Sequence, residues 1–315
     1  MQRALLSWTL VFALLLAGFG ASVLALNGDV FSAHGFVRAY LDALARHDSA
    51  EALQFDGVDL PPGVSFALMT DDAALGDVDG IRFLSDVEDG DHHVVRFATL
   101  VAGTEQVTEF EVEHTGTRFG LFPTWRFERS PVATLNISVD HDARFTANGL
   151  TTLSGDFGVL VPGVFALGHE SKYLQAEAVT TAVTEVGSIV EAEVHVTPKA
   201  EFADAATAAI AAYLDDCVTQ EVLKPTGCPF GTEVVNRLNS TPVWSMVEYP
   251  TAVVAATDAV GVWKTEPAHA VAHVKAEVKA LFDGTVSSLD EDVPFSTGYR
   301  IVIAYDDTLS VTAPA

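Results

Sequence analysis

The sequence predicts an α+β chain behind one apolar N-terminal helix. Three observations predict it. Residues Ala4–Leu26, ALLSWTLVFALLLAGFGASVLAL, run for 23 positions without a charge. Twice afterwards a stretch of helical period precedes a series of period-two stretches, the order of an α+β domain. Between these two regions lies a segment with strand patterns and almost no helix signal.

A helix over Ala4–Leu26 spans about 35 Å, enough for the hydrocarbon core of a bilayer. Arg3 precedes the run and Asp29 follows it. The positive-inside rule then puts the N-terminus in the cytoplasm and residues 27–315 outside. The expectation is an uncleaved signal anchor over 1–27 in a single-pass cell-membrane protein with an extracytoplasmic bulk. A cleaved signal peptide is the rival reading. Its apolar core is usually shorter, and Val23-Leu24-Ala25 matches the Ala-x-Ala cleavage pattern poorly. No cysteine follows the run, which excludes a lipoprotein anchor. Ala17, Gly18, Ala21, Ser22 and Ala25 set small residues four apart. That spacing lets two such helices pack as a homo-oligomer. Small residues are equally ordinary near the end of an export signal.

The chain has 315 residues, with 43 acidic against 17 basic and a formal charge of −26. Its length calls for more than one domain. Its charge excludes nucleic acid and docking on anionic lipid, since both need a basic surface. Scarce Lys with abundant Ala, Val and Asp fits a high-GC bacterial genome.

The first α+β region covers 28–131. Phe36, Val37, Tyr40, Leu41 and Leu44 form a helical stripe. Asp48 or Ser49 caps a second short helix, with Glu51 in its first turn. The period changes to two near Ile81. Strands are expected at 81–88, 93–102, 105–114 and 118–128, with Phe119, Leu121, Trp125 and Phe127 on one face of the last. The all-β region, 132–197, carries strands at 132–139, 143–147, 157–161, 164–169, 173–183 and 188–197. The second α+β region, 198–315, opens with Thr197 as N-cap and Pro198 at the first helical position. That helix is expected to reach about Glu221, with Phe202, Ala206, Ile210, Tyr213, Leu214 and Cys217 as its stripe. Strands follow at 243–256, 259–265, 268–282 and 296–306.

The segment FVRAYLDALARHDSAEALQF, Phe36 to Phe55, resembles the opening helices of the nuclear transport factor two-like cone fold. The resemblance implies a curved sheet around helices with a conical pocket, and the second α+β region repeats the same order of elements. Asn148-Gly149 and then Leu160-Val161-Pro162-Gly163-Val164-Phe165 resemble an element of membrane-anchored envelope proteins of Gram-positive bacteria, such as the teicoplanin-resistance-associated family. Those proteins carry a cytoplasmic zinc ribbon before the membrane helix. Three residues precede the apolar run here, so a function tied to that ribbon does not carry over. The helix ending Tyr213-Leu214-x-x-Cys217, followed by Pro225-Thr226-Gly227-Cys228-Pro229, is similar to exported actinobacterial-type proteins. No activity comes with that similarity.

Cys217 and Cys228 are the two cysteines of the chain. An even, closely spaced pair in an exported chain is expected to form a disulfide. Two unrelated thiols are the alternative. Closing a loop of this size contributes about 3 kcal/mol in the chain-entropy model.

Four constellations mix imidazoles with carboxylates or with each other. His269 and His273 stand four apart, but AHAVAHVKAEVKALF has period two. On a strand that spacing separates the rings by roughly 13 Å, too far for a shared metal. The others are Asp91-His92-His93, Glu111-x-Glu113-His114 and Asp140-His141-Asp142. Cone-fold enzymes such as ketosteroid isomerases and scytalone dehydratases place Asp and His inside the cone for acid–base work. That resemblance makes His93 and His114 candidates to face a pocket. Turn and strand-end positions favour the plain reading of solvated polar groups. There is no P-loop, dinucleotide fingerprint, lipase-type elbow or zincin helix. No catalytic residue, cofactor or metal ligand is therefore assigned. The expected function is a non-enzymatic module that binds an envelope protein or cell-wall ligand. A cone-fold enzyme using His and carboxylate chemistry is the alternative.

Overall fold

A computed structural model describes residues 2–71 and 74–313, with the side chains of 2–7 and 9–11 outside the description. Arg3 and the first apolar side chains of the N-terminal run thus lie outside the described residues. The chain is α+β, mostly sheet with few helices. It gathers into two compact units. The first is Met1–Ser138, Phe145–Gly168 and Ala178–Val194. The second is Val139–Arg144, His169–Glu177 and His195–Ala315.

The first unit begins with α1 (Gln2–Gly28), a helix with no acidic residue in its first turn and no basic residue in its last. Among the described residues no single helix is long and apolar enough to cross a membrane. Phe12–Gly28 and α2 (Ala33–Ala45) meet the length and composition only as a pair bent by 62°. α2 does other work. Ser32 caps it by accepting from the Gly35 amide at 3.0 Å. Its stripe Val37, Tyr40, Leu41 and Leu44 is buried in the unit's core. Two single-turn helices follow, α3 (Ser49–Ala52) and α4 (Ala67–Thr70). Asp48 caps α3 through the Glu51 amide at 2.8 Å.

Four strands then form an antiparallel meander in chain order: β1 (Asp79–Asp89), β2 (His92–Val101), β3 (Thr104–Arg118) and β4 (Phe122–Phe127). Pairing fixes which residues share the inner face. His93 stands opposite Val112, Val95 opposite Phe110, and Phe127 opposite Val112. Phe110, Val112 and Phe127 are buried there against Tyr40. β4 starts later than the sequence pattern implies. Phe119 and Leu121 lie in the turn before it, because Phe119 (φ 55°) and Gly120 (φ 66°) reverse the chain.

Eight short strands follow: β5 (Val132–Val139), β6 (Arg144–Ala147), β7 (Leu150–Leu153), β8 (Gly155–Leu160), β9 (Gly163–Glu170), β10 (Leu174–Val183), β11 (Ile189–Val194) and β12 (Thr197–Pro198). They make a three-stranded sheet, β11-β5-β8, and a five-stranded one, β12-β10-β9-β6-β7. The Tyr40 hydroxyl reaches two carbonyls beside this region. It sits 3.2 Å from Pro131 O and 3.0 Å from Val161 O, fully buried.

The second unit is built on α5 (Ala200–Val218), which buries Phe202, Ala206, Ile210, Leu214 and Cys217. It starts later than Thr197-Pro198 implies. Those two residues pair with β10 instead, opposite Gln175 and Leu174, and Lys199 becomes the N-cap. Eight strands follow: β13 (Arg237–Leu238), β14 (Val243–Glu248), β15 (Val254–Ala256), β16 (Val262–Thr265), β17 (Ala268–Lys279), β18 (Val286–Thr297), β19 (Arg300–Ile303) and β20 (Leu309–Thr312). β17 carries β13 and β14 along one edge and β18 as a hairpin partner, while β15-β16-β19-β20 forms a second sheet. The expected strand 243–256 breaks at Tyr249-Pro250, where a proline ends the ladder. β18 has no counterpart in the expected strands.

Cys217 and Cys228 lie at disulfide distance, with Cα atoms 5.8 Å apart. The Gln220 side chain braces the intervening loop. Its oxygen accepts from the Thr226 amide at 2.7 Å and its nitrogen donates to Thr226 O at 3.1 Å.

Two outcomes follow from this packing. Tyr40→Phe takes the hydroxyl donor from the Val161 carbonyl, while Pro131 O keeps the Val161 amide at 3.0 Å, so urea unfolding should show a loss of about 1–3 kcal/mol. Burial pushes the Tyr40 phenol far above its ordinary value, and the hydrogen bond to Val161 offsets only part of that. The folded state then keeps a proton that the unfolded chain releases. Tyr40 therefore contributes stability below about pH 10 that is lost as pH rises further, and the Phe variant should lack this alkaline loss. Replacing Cys217 and Cys228 with Ser should lower stability by about 3 kcal/mol and leave the circular dichroism spectrum unchanged. Two free thiols in the unsubstituted protein under non-reducing conditions would overturn the pairing.

Candidate functional site

The inner face of the meander changes character along its length. Toward one end it carries Phe97, Phe110 and Phe127, all buried. Toward the other it carries His93, His114 and Trp125. The alternation that turns one residue of each pair inward delivers both kinds of residue to the same face. The aromatic end packs against α2, and the polar end opens as a cleft.

That open end is a cleft of about 370 Å³ lined by Asp86, Glu88, Asp91, His93, His114 and Trp125, with Phe31 and Ser32 beside them. His93 Nδ1 lies 2.7 Å from Asp86 Oδ1. The two side chains are 12% and 21% exposed, enough shielding to make the bond matter. His114 Nδ1 faces Asp91 at 3.7 Å. Trp125 stands between the imidazoles, with ring centroids 4.8 Å from His93 and 5.3 Å from His114. Its indole nitrogen donates to Phe31 O at 2.9 Å, which fixes the ring. A paired imidazole can accept a proton or hold a donor, and an indole flanked by carboxylates suits a positively charged group. Among the described residues no group of three His, Cys, Asp or Glu side chains is placed to hold a metal ion.

The sequence named His93 and His114, and the structure brings both to this cleft. It missed Asp86 and Trp125. The signal for Asp86 lay in the hairpin turn at Gly90. Asp89 pairs with His92, so Asp86 falls opposite Val95 and on the face of His93.

The other constellations play structural parts. His92 points to Glu128 at 2.8 Å on the opposite face. His269 and His273 sit on β17, whose even positions are buried and whose odd ones are not. His273 is bracketed by Asp290 at 2.9 Å and Asp292 at 2.7 Å. Asp140-His141-Asp142 organises the second unit. Asp140 accepts from the Val196 amide at 2.5 Å and faces His195 at 3.0 Å. Asp142, 8% exposed, is bound by the Arg144 guanidinium at 2.8 Å, which also reaches Asp307 at 2.9 Å and Tyr305 O at 3.0 Å. His169 closes the group by bonding Arg144 O at 2.8 Å and Ser171 at 3.0 Å. This is an internal clamp with every arm engaged, and it offers no free face to a ligand.

No protein-family model, no curated protein and no solved structure matches this chain.

The clamp gives a direct expectation. Arg144→Met leaves Asp142 buried without its cation and should cost about 3–5 kcal/mol by denaturant titration. Burial raises the Asp142 carboxyl, but the Arg144 hydrogen bonds outweigh it and hold the group below its ordinary value. A depressed carboxyl contributes stability above the unfolded value, near pH 4, and loses it as pH falls further. The Met variant should therefore lack part of the wild-type decline below pH 4.

Proposed function

We propose that the chain is a single-pass, membrane-anchored protein of the bacterial envelope, whose extracytoplasmic bulk binds a partner or cell-wall ligand without catalysis. One observation carries this reading. α1 exposes apolar side chains all round: Phe12, Leu14, Leu15, Leu16, Phe19 and Leu24 are each more than half exposed. Burying such a side chain is worth about 1.5–3 kcal/mol, and a helix that is apolar on every face finds that burial in lipid. α2 cannot share the task, because its stripe is committed to the core.

The same proposal covers architecture. Cone-like domains over 28–131 and 198–315 flank the all-β region 132–197, and α2 lying across the β1–β4 meander supports this for the first. The ligand site is the His93–Trp125 cleft, suited to a small molecule bearing a basic or donor group. An acid–base enzyme of the cone type is the second reading, favoured by the 2.7 Å His93–Asp86 bond.

N-terminal sequencing of the membrane-extracted protein tests the anchor. A chain beginning at Met1 or Gln2 is expected, and one beginning near Asn27 would overturn it. A thermal-shift screen of small metabolites on wild type and Asp86→Asn separates the two activities. Binding predicts hits that the variant loses and that mass spectrometry recovers unchanged, whereas conversion of a hit marks the enzyme.

A further inference from the structure

β3 and β4 run well past the rest of their sheet. The last pairing of β3 with β2 is Glu113 with His92, and β3 continues for five more residues to Arg118. At 3.3 Å per residue the β3–β4 hairpin protrudes by about 16 Å. Gly116, at φ 145°, supplies the bend where the ladder slips register.

Three contacts tie this hairpin to the chain that leaves α1. The Asn27 amide donates to Leu121 O at 2.7 Å. Phe31 packs on Phe122 with centroids 4.4 Å apart. Trp125 holds Phe31 O. The hairpin tip therefore lies level with Asn27, the first residue after the apolar run.

The tip residue itself is unexpected. Phe119 has a φ of 55°. That conformation is ordinary for Gly or Asn and costs about 1 kcal/mol or more for a bulky side chain. Its ring is 80% exposed, and Leu121 beside it is 41% exposed. Arg118 lies over the ring at 5.3 Å, the only cation in the turn.

Resting on the anchor reading above, we infer that the Arg118–Leu121 turn is a second membrane contact, with Phe119 and Leu121 inserted at the boundary between headgroups and acyl chains. Lipid is the occupant because the tip sits at the level where α1 would enter the bilayer. Arg118 is then placed for a lipid phosphate. Two attachment points, the helix and the hairpin, fix the tilt of the first unit, and the His93–Trp125 cleft opens close to the membrane surface.

The test uses the full chain in phosphatidylcholine vesicles. Phe119→Cys and Leu121→Cys are each labelled with a nitrobenzoxadiazole probe, and Glu105→Cys at the far end of β3 serves as control. The unsubstituted chain, labelled in parallel, sets the background. The expected result is a blue-shifted probe at 119 and 121, quenched by spin-labelled lipid, and a water-exposed probe at 105. If the chain floats with vesicles while the probe at 119 stays in water, the hairpin contact is wrong and the anchor stands. A probe at 119 that is shielded yet unquenched by lipid marks a protein-covered tip and also overturns the inference. If the chain does not float, the anchor fails and the hairpin contact fails with it.

Discussion

The first unit depends on the placement of Tyr40. Its ring meets Phe55, Phe110 and Phe127, with centroids 5.1 to 6.1 Å away, and its hydroxyl serves the carbonyls of Pro131 and Val161. One side chain thus holds α2 against the meander and against the start of the following strands. A helix so fixed packs against the aromatic end of the inner face. The polar end is left uncovered, and the cleft lies there.

The second unit uses a different solution. Around Arg144 it gathers two carboxylates, the Tyr305 carbonyl and the His169 ring, which bonds the Arg144 carbonyl. Buried charges of this kind add little net stability over an apolar core, but they penalise any arrangement that leaves one of them unpaired. The Cys217–Cys228 pair acts at the other end of α5, where the loop to β13 has few strand bonds of its own. One device selects the arrangement and the other limits the freedom of the unfolded chain.

Much of the fold was legible in the sequence. Period alone located α2, the four strands of the meander and the polar face of β17, because each has a core on one side only. What failed were the places where tertiary pairing overrode local chemistry. Thr197-Pro198 reads as a helix start, yet the open edge of β10 takes those residues as a strand. Phe119 and Leu121 fit an alternating pattern, yet the chain turns under them. Ser287 to Asp292 shows no strand period, yet it is a strand whose charges answer His273 and Lys275 across the ladder. In the cleft, the two histidines were visible through the cone-fold resemblance. Asp86 was hidden behind a hairpin register, and Trp125 was read only as sharing a strand face with Phe127.

β18 also bears on how copies of this protein behave when crowded together. It pairs with β17 over twelve residues and has no other strand beside it among those described. A long, regular border of that kind is the usual template for runaway stacking of identical chains. Here it is lined by Asp290, Glu291 and Asp292, with Pro294 removing one backbone donor. Two such borders brought together would repel each other and could not complete their ladder. Part of the chain's acidity thus stands where sheet growth would begin.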